Sequence, residues 1–279
     1  MRDRILITGG TGKTGRRVAE SLRRQNVRTL VASRSANGPA TVHFDWSDTA
    51  TFNGALEEIA AIYLVAPSNV AEPLAAMMPF LERALERGVA RFVLLSASSL
   101  EEGGPMMGAV HAWLHRHAPR WVVLRPTWFM QNFSEQQHLS TILEEGAIYS
   151  ATGDGRVGFI DAEDIAATAA QALTAPDFPN GDMILTGPET LSYDDVAALI
   201  SSASGRRVRH HRLTEQELAD RFEAGGLAAH YAHVLAAMDT AISQGAEDRL
   251  TNEVRRATGR APVRFIDFAN RAAPCWKTD

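Results

Sequence analysis

Eight residues near the start of the chain, Thr8-Gly9-Gly10-Thr11-Gly12-Lys13-Thr14-Gly15, restrict its fold more than any other stretch. The run Arg4-Ile5-Leu6-Ile7-Thr8 reads as a buried strand, and the glycine-rich residues after it open an amphipathic stretch over residues 12–25 that reads as a helix. Gly9, Gly12 and Gly15 carry the spacing G-x-x-G-x-x-G. In a strand-to-helix turn, Gly9 allows the tight bend, Gly12 lets backbone approach a pyrophosphate, and Gly15 lets the helix pack close to the sheet. The unpaired N–H groups and the dipole at the helix N-terminus favour an anion. The segment therefore predicts a dinucleotide-binding loop, with the Thr11 and Thr14 hydroxyls assisting and Lys13 beside the phosphates.

Gly12-Lys13-Thr14 also resembles the end of a triphosphate-binding P-loop. That motif requires a glycine five residues before the Gly-Lys glycine. Ile7 stands there, inside the strand, so the triphosphatase reading fails on spacing.

Apolar runs and amphipathic stretches keep alternating. Residues 27–33, 41–44, 61–66, 91–96 and 121–124 read as strands, and residues 52–58, 73–88 and 108–117 as helices. Continuous apolar strands separated by helices predict a parallel sheet covered on both faces, a doubly wound Rossmann-type α/β fold. Beyond residue 129 the pattern changes to a helix over 134–145, a glycine-rich irregular stretch over 146–159, a helix over 162–173 and a mostly helical tail. The expected division is a nucleotide-binding domain over 1–186 and a smaller, mostly helical substrate domain over 187–279.

The end of the second strand bears on cofactor choice. NAD-binding folds place an acid there, about 20 residues past the loop, to hold the ribose 2′-OH. Here Ser33 and Arg34 occupy the place, and a guanidinium suits a 2′-phosphate, so NADP(H) is the expected cofactor. Asp45 and Trp46, after the third strand, are expected to flank adenine. Val65, Ala66 and Pro67 at the end of the fourth strand, and Ser96 at the end of the fifth, lie where ligands bind open α/β sheets.

A net charge of -5 gives no footing for nucleic acid or anionic membrane. The single cysteine, Cys275, excludes an internal disulfide and a cysteine-based zinc site. No signal-like segment and no apolar run long enough for a bilayer is read, so a cytoplasmic protein is expected. His111, His115 and His117 lack the acid of a metalloprotease helix and read as ordinary helix residues, with no metal expected. Asp161, Glu163 and Asp164 read as a cap and first-turn charge on the helix that follows.

Short-chain dehydrogenases commonly use Tyr-x-x-x-Lys as proton donor. The tyrosines are Tyr63, Tyr149, Tyr193 and Tyr231, the lysines Lys13 and Lys277, and no pair has that spacing. Reducing a ketone requires a proton for the nascent alkoxide, whereas an iminium ion becomes a neutral amine on receiving hydride alone.

The opening loop, the run Leu124-Arg125-Pro126-Thr127-Trp128-Phe129-Met130-Gln131-Asn132-Phe133, residues 144–155 and residues 161–165 resemble the NmrA-like branch of atypical short-chain dehydrogenases. Within it they resemble the group typified by agroclavine dehydrogenase and festuclavine synthase. The resemblance implies a Rossmann domain with a small C-terminal substrate domain, NADPH use, and reduction of an imine or iminium carbon in a small metabolite. It also implies that Pro126, Thr127 and Trp128 pass the nicotinamide ring. Trp128, Phe129, Asn132 and Tyr149 are then candidates for the substrate side, with Tyr149 a proton donor if the acceptor is a carbonyl. Other members reduce quinones or cationic dyes, or sense NADP(H) without catalysis. Some carry a lysine on the helix before the sixth strand, where this chain has Gly108-Ala109-Val110-His111-Ala112-Trp113-Leu114. The expected partner is a small-molecule substrate, and self-association is left open.

Overall fold

The structure is a computed structural model that describes residues 3–68, 70 and 72–277. It divides into two compact units. One comprises Met1–Pro126, Ala162–Leu185 and Glu253–Arg260; the other comprises Thr127–Asp161, Thr186–Asn252 and Ala261–Asp279. The units interleave along the chain instead of meeting at a single cut at residue 186. The reason lies in strand pairing: residues 127–161 carry strands whose partners come from the C-terminal half.

In the first unit seven strands form one parallel sheet, with elements numbered along the chain. The strands are β1 (Arg4–Ile7), β2 (Thr29–Ser33), β3 (Thr41–His43), β4 (Ile59–Leu64), β5 (Arg91–Leu95), β6 (Arg120–Pro126) and β9 (Gly181–Leu185). Their order is β3-β2-β1-β4-β5-β6-β9, so the winding reverses between β1 and β4. Ile7 pairs with Val31 on one side and Tyr63 on the other, which puts the end of β1 at the switch point where such sheets bind ligands. The helices are α1 (Gly15–Arg24), α2 (Phe52–Ala55), α3 (Pro73–Glu86), α4 (Met107–His117), α6 (Ala162–Thr174) and α10 (Glu253–Thr258). Pro73 starts α3, where a missing N–H costs nothing. Helices α1 and α6 pack together, and Arg17 Nε donates to Glu163 Oε1 at 3.0 Å. Leu6, Ile62, Leu64, Phe80, Phe92, Leu94, Val110 and Leu114 are fully buried in one core.

Among the described residues, two arginines of this unit are buried. Arg91 donates to the carbonyls of Ala172 (2.9 Å) and Ala175 (2.6 Å), filling acceptors that the end of α6 leaves open. Arg125 donates to Asp182 (2.6 Å), the Ser98 carbonyl (2.9 Å) and Glu101 (3.1 Å), tying β6 to β9 and to the segment after β5. Arg125→Met keeps the apolar stem and removes these bonds. It is expected to lower stability by about 2 kcal/mol, read by urea unfolding.

The second unit contains α5 (Leu139–Glu145), β7 (Ala147–Ser150), β8 (Arg156–Val157), β10 (Leu191–Ser192), α7 (Tyr193–Ser204), β11 (Arg209–Arg212), α8 (Glu215–Ala224), α9 (Ala229–Ser243) and α11 (Phe265–Ala272). Strand β7 pairs in parallel with β11, and β8 pairs antiparallel with β10. Capping boxes start α7 (Ser192 with Asp195) and α8 (Thr214 with Glu217). Phe133, Phe159, Tyr193, Phe265, Phe268 and Trp276 form an aromatic core, and Trp276 Nε1 donates to the Phe133 carbonyl at 2.7 Å.

The acids before α6 do more than the expected capping. Glu163 and Asp164 do lie in its first turn. Asp161, fully buried, accepts from Gln131 Nε2 (2.8 Å) and pairs with Arg271, and Asp164 pairs with Arg260 (3.2 Å). A buried carboxylate needs such partners, and the cations stand far off in sequence, out of reach of a local reading.

Asp239 of α9 is buried and accepts a bond from the Ala151 backbone N–H at 3.1 Å, and its pKa is pushed up to about 7 by burial. Because the folded pKa exceeds the ordinary value of 3.8, its contribution to stability is fully present below that value and is lost as pH rises toward 7. Asp239→Asn keeps an acceptor for Ala151 and cannot ionise. It is expected to match the parent near pH 4 and to exceed it at pH 8 by on the order of 2 kcal/mol. Denaturant midpoints at the two pH values check this.

Candidate cofactor site and substrate-side residues

Packing as well as backbone conformation shapes the glycine loop. Gly9 adopts φ +59°, the left-handed region, and a Cβ there would come 2.8 Å from Val65 Cβ. A Cβ on Gly15 would sit 2.3 Å from the Gly9 carbonyl oxygen and 2.8 Å from Gly10 Cα. Gly10, outside the G-x-x-G-x-x-G reading, has as little room, with a Cβ meeting Val31 Cγ1 at 2.3 Å. The second glycine of the Gly9-Gly10 pair was the available signal for it.

Thr8 closes the loop from below. Its hydroxyl accepts from the Val65 N–H at 2.7 Å and lies 3.1 Å from the Tyr63 carbonyl oxygen, which joins the ends of β1 and β4. The fully buried Tyr63 hydroxyl lies beside Thr14, and burial pushes its pKa far up, so it stays neutral. Thr8 and Tyr63 escaped the sequence reading, because only the register of β1 with β4 brings them under the loop.

Helix α1 begins at Gly15 with no side-chain cap from Thr14 and no acid in its first turn. An uncapped N-terminus fed by a glycine loop, at the switch point of a parallel sheet, fits the pyrophosphate of a dinucleotide. Thr11, Gly12, Lys13 and Thr14 all belong to that loop. Val65, Ala66 and Pro67 follow β4, half-buried. Ser96 follows β5, and its buried hydroxyl has no hydrogen-bond partner among the described residues.

At the ends of β2 and β3, Ser33 Oγ accepts from the Ser35 N–H at 3.2 Å, and Arg34 is exposed. His43 Nδ1 lies 3.0 Å from the Arg34 carbonyl oxygen, a contact made by the pairing of Ser33 with His43 and absent from the sequence reading. Asp45 Oδ1 accepts from the N–H (2.9 Å) and hydroxyl (2.7 Å) of Ser47. Those bonds first, then the nearby charges of Arg34 and His43, hold its carboxyl below the usual range. Trp46 packs edge-on against Phe44 (4.9 Å) and Phe80 (5.3 Å), so one side of the indole belongs to the core.

Pro126 ends β6 and accepts from the Ser98 N–H at 2.9 Å. In the second unit, Thr127 Oγ1 donates to the Gly158 carbonyl at 2.5 Å. The backbone of Trp128, Phe129 and Met130 runs alongside Ile160, bonded through Ile160 N–H to Trp128 O (3.0 Å) and Met130 N–H to Ile160 O (2.9 Å). Trp128 is half-buried against the aromatic core. The Asn132 carbonyl accepts from the His138 N–H at 3.0 Å. Tyr149 lines a separate cavity whose lining includes neither Trp128 nor Asn132. Its hydroxyl donates to Glu145 at 2.7 Å, and that bond raises its pKa.

On α4 the spacing of His111 and His115 brings both rings toward Glu102, at 3.9 Å and 2.8 Å. Burial lowers the pKa of His111. Among the described residues no group of three histidine, cysteine or acidic side chains is arranged to hold a metal.

A family model described as NAD(P)H-binding matches residues 9–176, and one described as the NmrA-like family matches residues 121–257. The chain is 47% identical to an uncharacterised oxidoreductase, YesF, of Bacillus subtilis over 98% of its length and 96% of the relative's. It is 44% identical to an agroclavine dehydrogenase of Claviceps fusiformis and 39% identical to a festuclavine dehydrogenase of Aspergillus fumigatus, covering 98% of both chains in each case. A quinone oxidoreductase of Escherichia coli complexed with NADPH has the same fold, with a TM-score of 0.81 at 22% identity over 96% of this chain and 99% of that one. A triphenylmethane reductase of Citrobacter sp. also scores 0.81, at 20% identity over 97% and 99%. By its glycine loop, its sheet and these relatives, the chain belongs to the NmrA-like, NAD(P)H-binding oxidoreductases, in the group that contains the agroclavine and festuclavine dehydrogenases.

Proposed function

We propose that this protein uses NADPH to reduce the C=N bond of a small, cyclic imine or iminium metabolite. Its carrying observation is the lack of a proton-donating pair: the only lysines are Lys13 and Lys277, and neither follows a tyrosine at the required spacing. Tyr149, the other candidate donor, commits its hydroxyl to Glu145 and has a raised pKa. An iminium ion, or an imine that solvent has already protonated, needs no protein donor, because addition of hydride leaves a neutral amine. The resemblance to the agroclavine and festuclavine group implies the same acceptor.

When bound, the nicotinamide supplies the hydride. The chain's residues do the holding. Backbone N–H groups of Gly9 to Gly15 and the open end of α1 hold the pyrophosphate, with Thr11, Lys13 and Thr14 beside it. Ser33 and Arg34 take the 2′-phosphate, and Asp45 and Trp46 flank adenine. Val65, Ala66, Pro67 and Ser96 line the strand ends toward the ribose and nicotinamide. Pro126, at the end of β6, meets the nicotinamide carboxamide; Thr127, Trp128 and Asn132 follow it in the chain, and an aromatic side chain such as Trp128 suits a cationic acceptor.

The test is NADPH oxidation across cyclic iminium ions, quinones and aldehydes, after binding of NADPH has been measured. Turnover confined to the iminium compounds is expected. Turnover confined to quinones or aldehydes, or tight binding with no turnover, would overturn the proposal in favour of a carbonyl-type reductase or a sensor.

A further inference from the structure

The second unit holds a cavity of about 470 Å³ lined by residues that include Gln137, Ser140, Tyr149, Leu218, Arg221 and Phe222. We propose that this cavity binds an aromatic or fused-ring compound through a carboxylate held by Arg221. The proposal goes beyond the reduction argued above and does not depend on it.

Three observations support it. Arg221 is fixed in place without being used up. Its guanidinium carbon lies 3.7 Å from the centre of the Tyr149 ring, and its Nη2 donates to Glu145 Oε1 at 2.7 Å. The Tyr149 ring also stacks on His211, with ring centres 5.1 Å apart. A guanidinium carries five N–H donors, and no further protein acceptor takes one among the described residues. A pre-oriented planar fork with open donors matches a carboxylate.

Second, the site's carboxylate is already engaged, whereas its guanidinium keeps open N–H groups. Glu145, the carboxylate beside it, is filled on both oxygens, by Arg221 and by the Tyr149 hydroxyl. The side chains of Gln137 and Ser140 also line the cavity, and each can donate a hydrogen bond. A ligand ammonium placed here would meet the charge of Arg221, and it would have to share Glu145 with two donors already bound to it. Third, Leu218 and Phe222 supply an apolar wall, and the volume falls in the range that holds a compound of two or three rings. Gln137 stands at φ +47°, a strained setting for a non-glycine residue and one that recurs where ligands are clamped.

The experiment is calorimetric titration of the full chain with indole-3-acetate, and with tryptamine as the charge-reversed probe. Indole-3-acetate is expected to bind, with tryptamine at least tenfold weaker. Arg221→Met should weaken the carboxylate at least tenfold, Arg221→Lys should fall between, and Phe222→Ala should weaken it through the wall alone. Circular dichroism and unchanged NADPH affinity show whether each variant is folded. Competition between indole-3-acetate and the reducible acceptor would identify a substrate's carboxylate, and inhibition without competition an effector's; both support the site. Equal or tighter binding of tryptamine, carboxylate binding untouched by Arg221→Met, or no heat from either probe at millimolar concentration would overturn it.

Discussion

Arg34→Ala is expected to raise the KM for NADPH roughly 10- to 100-fold while leaving the KM for NADH nearly unchanged. The exposed guanidinium stands just past β2, the place where Rossmann-type sheets receive a cofactor's 2′ substituent, with Ser33 and Ser35 beside it. A charge-assisted bond to a phosphate contributes about 1.5–3 kcal/mol, which converts to that range of affinity. NADH has no 2′-phosphate and loses nothing. Arg34→Glu should go further, repelling NADPH and offering the ribose hydroxyls of NADH an acceptor. The ratio of kcat/KM for the two cofactors is the readout. A ratio unchanged in both variants would show that the 2′-phosphate is held elsewhere.

Gly15→Ala is expected to weaken NADPH at least tenfold, with a loss of stability of about 1–3 kcal/mol even without cofactor. Related fingerprints tolerate alanine at the third glycine. Here the added methyl would sit 2.3 Å from the Gly9 carbonyl oxygen, a backbone atom that cannot swing aside as a side chain does. Either the Gly9 turn or the start of α1 must move, and both carry the N–H groups meant for the pyrophosphate. Titration of NADPH by fluorescence, with unfolding of the cofactor-free protein alongside, separates the two effects. An unchanged dissociation constant would mean that the loop does not grip the pyrophosphate.

Much of the first unit was legible in the sequence because its signals are local. Short apolar strands, a glycine loop between the first strand and helix, and Ser33-Arg34 at the end of the second strand each lie within a few residues. What escaped is long-range. Thr8 and Tyr63 come together only through the pairing of Ile7 with Tyr63, and His43 reaches Arg34 only through the register of β2 with β3. In the second unit the sequence showed helices but not their partners. Strand β7 finds β11 some 60 residues later, which is why residues 127–161 leave the first unit. The same pairing sets Tyr149 against His211, while Glu145 and Arg221, which fix the environment of Tyr149, carry no signature in sequence.

The central claim is that hydride passes from NADPH to a carbon doubly bonded to nitrogen, without a protein proton donor. Mass spectrometry of the amine formed from a cyclic iminium ion and C4-deuterated NADPH, prepared separately with each face labelled, tests it most directly. The account predicts one deuterium on the former iminium carbon with one of the two labelled cofactors, and a rate insensitive to Tyr149→Phe. Tight NADPH binding with no deuterated amine, or a rate that collapses in Tyr149→Phe while the protein stays folded, would contradict it.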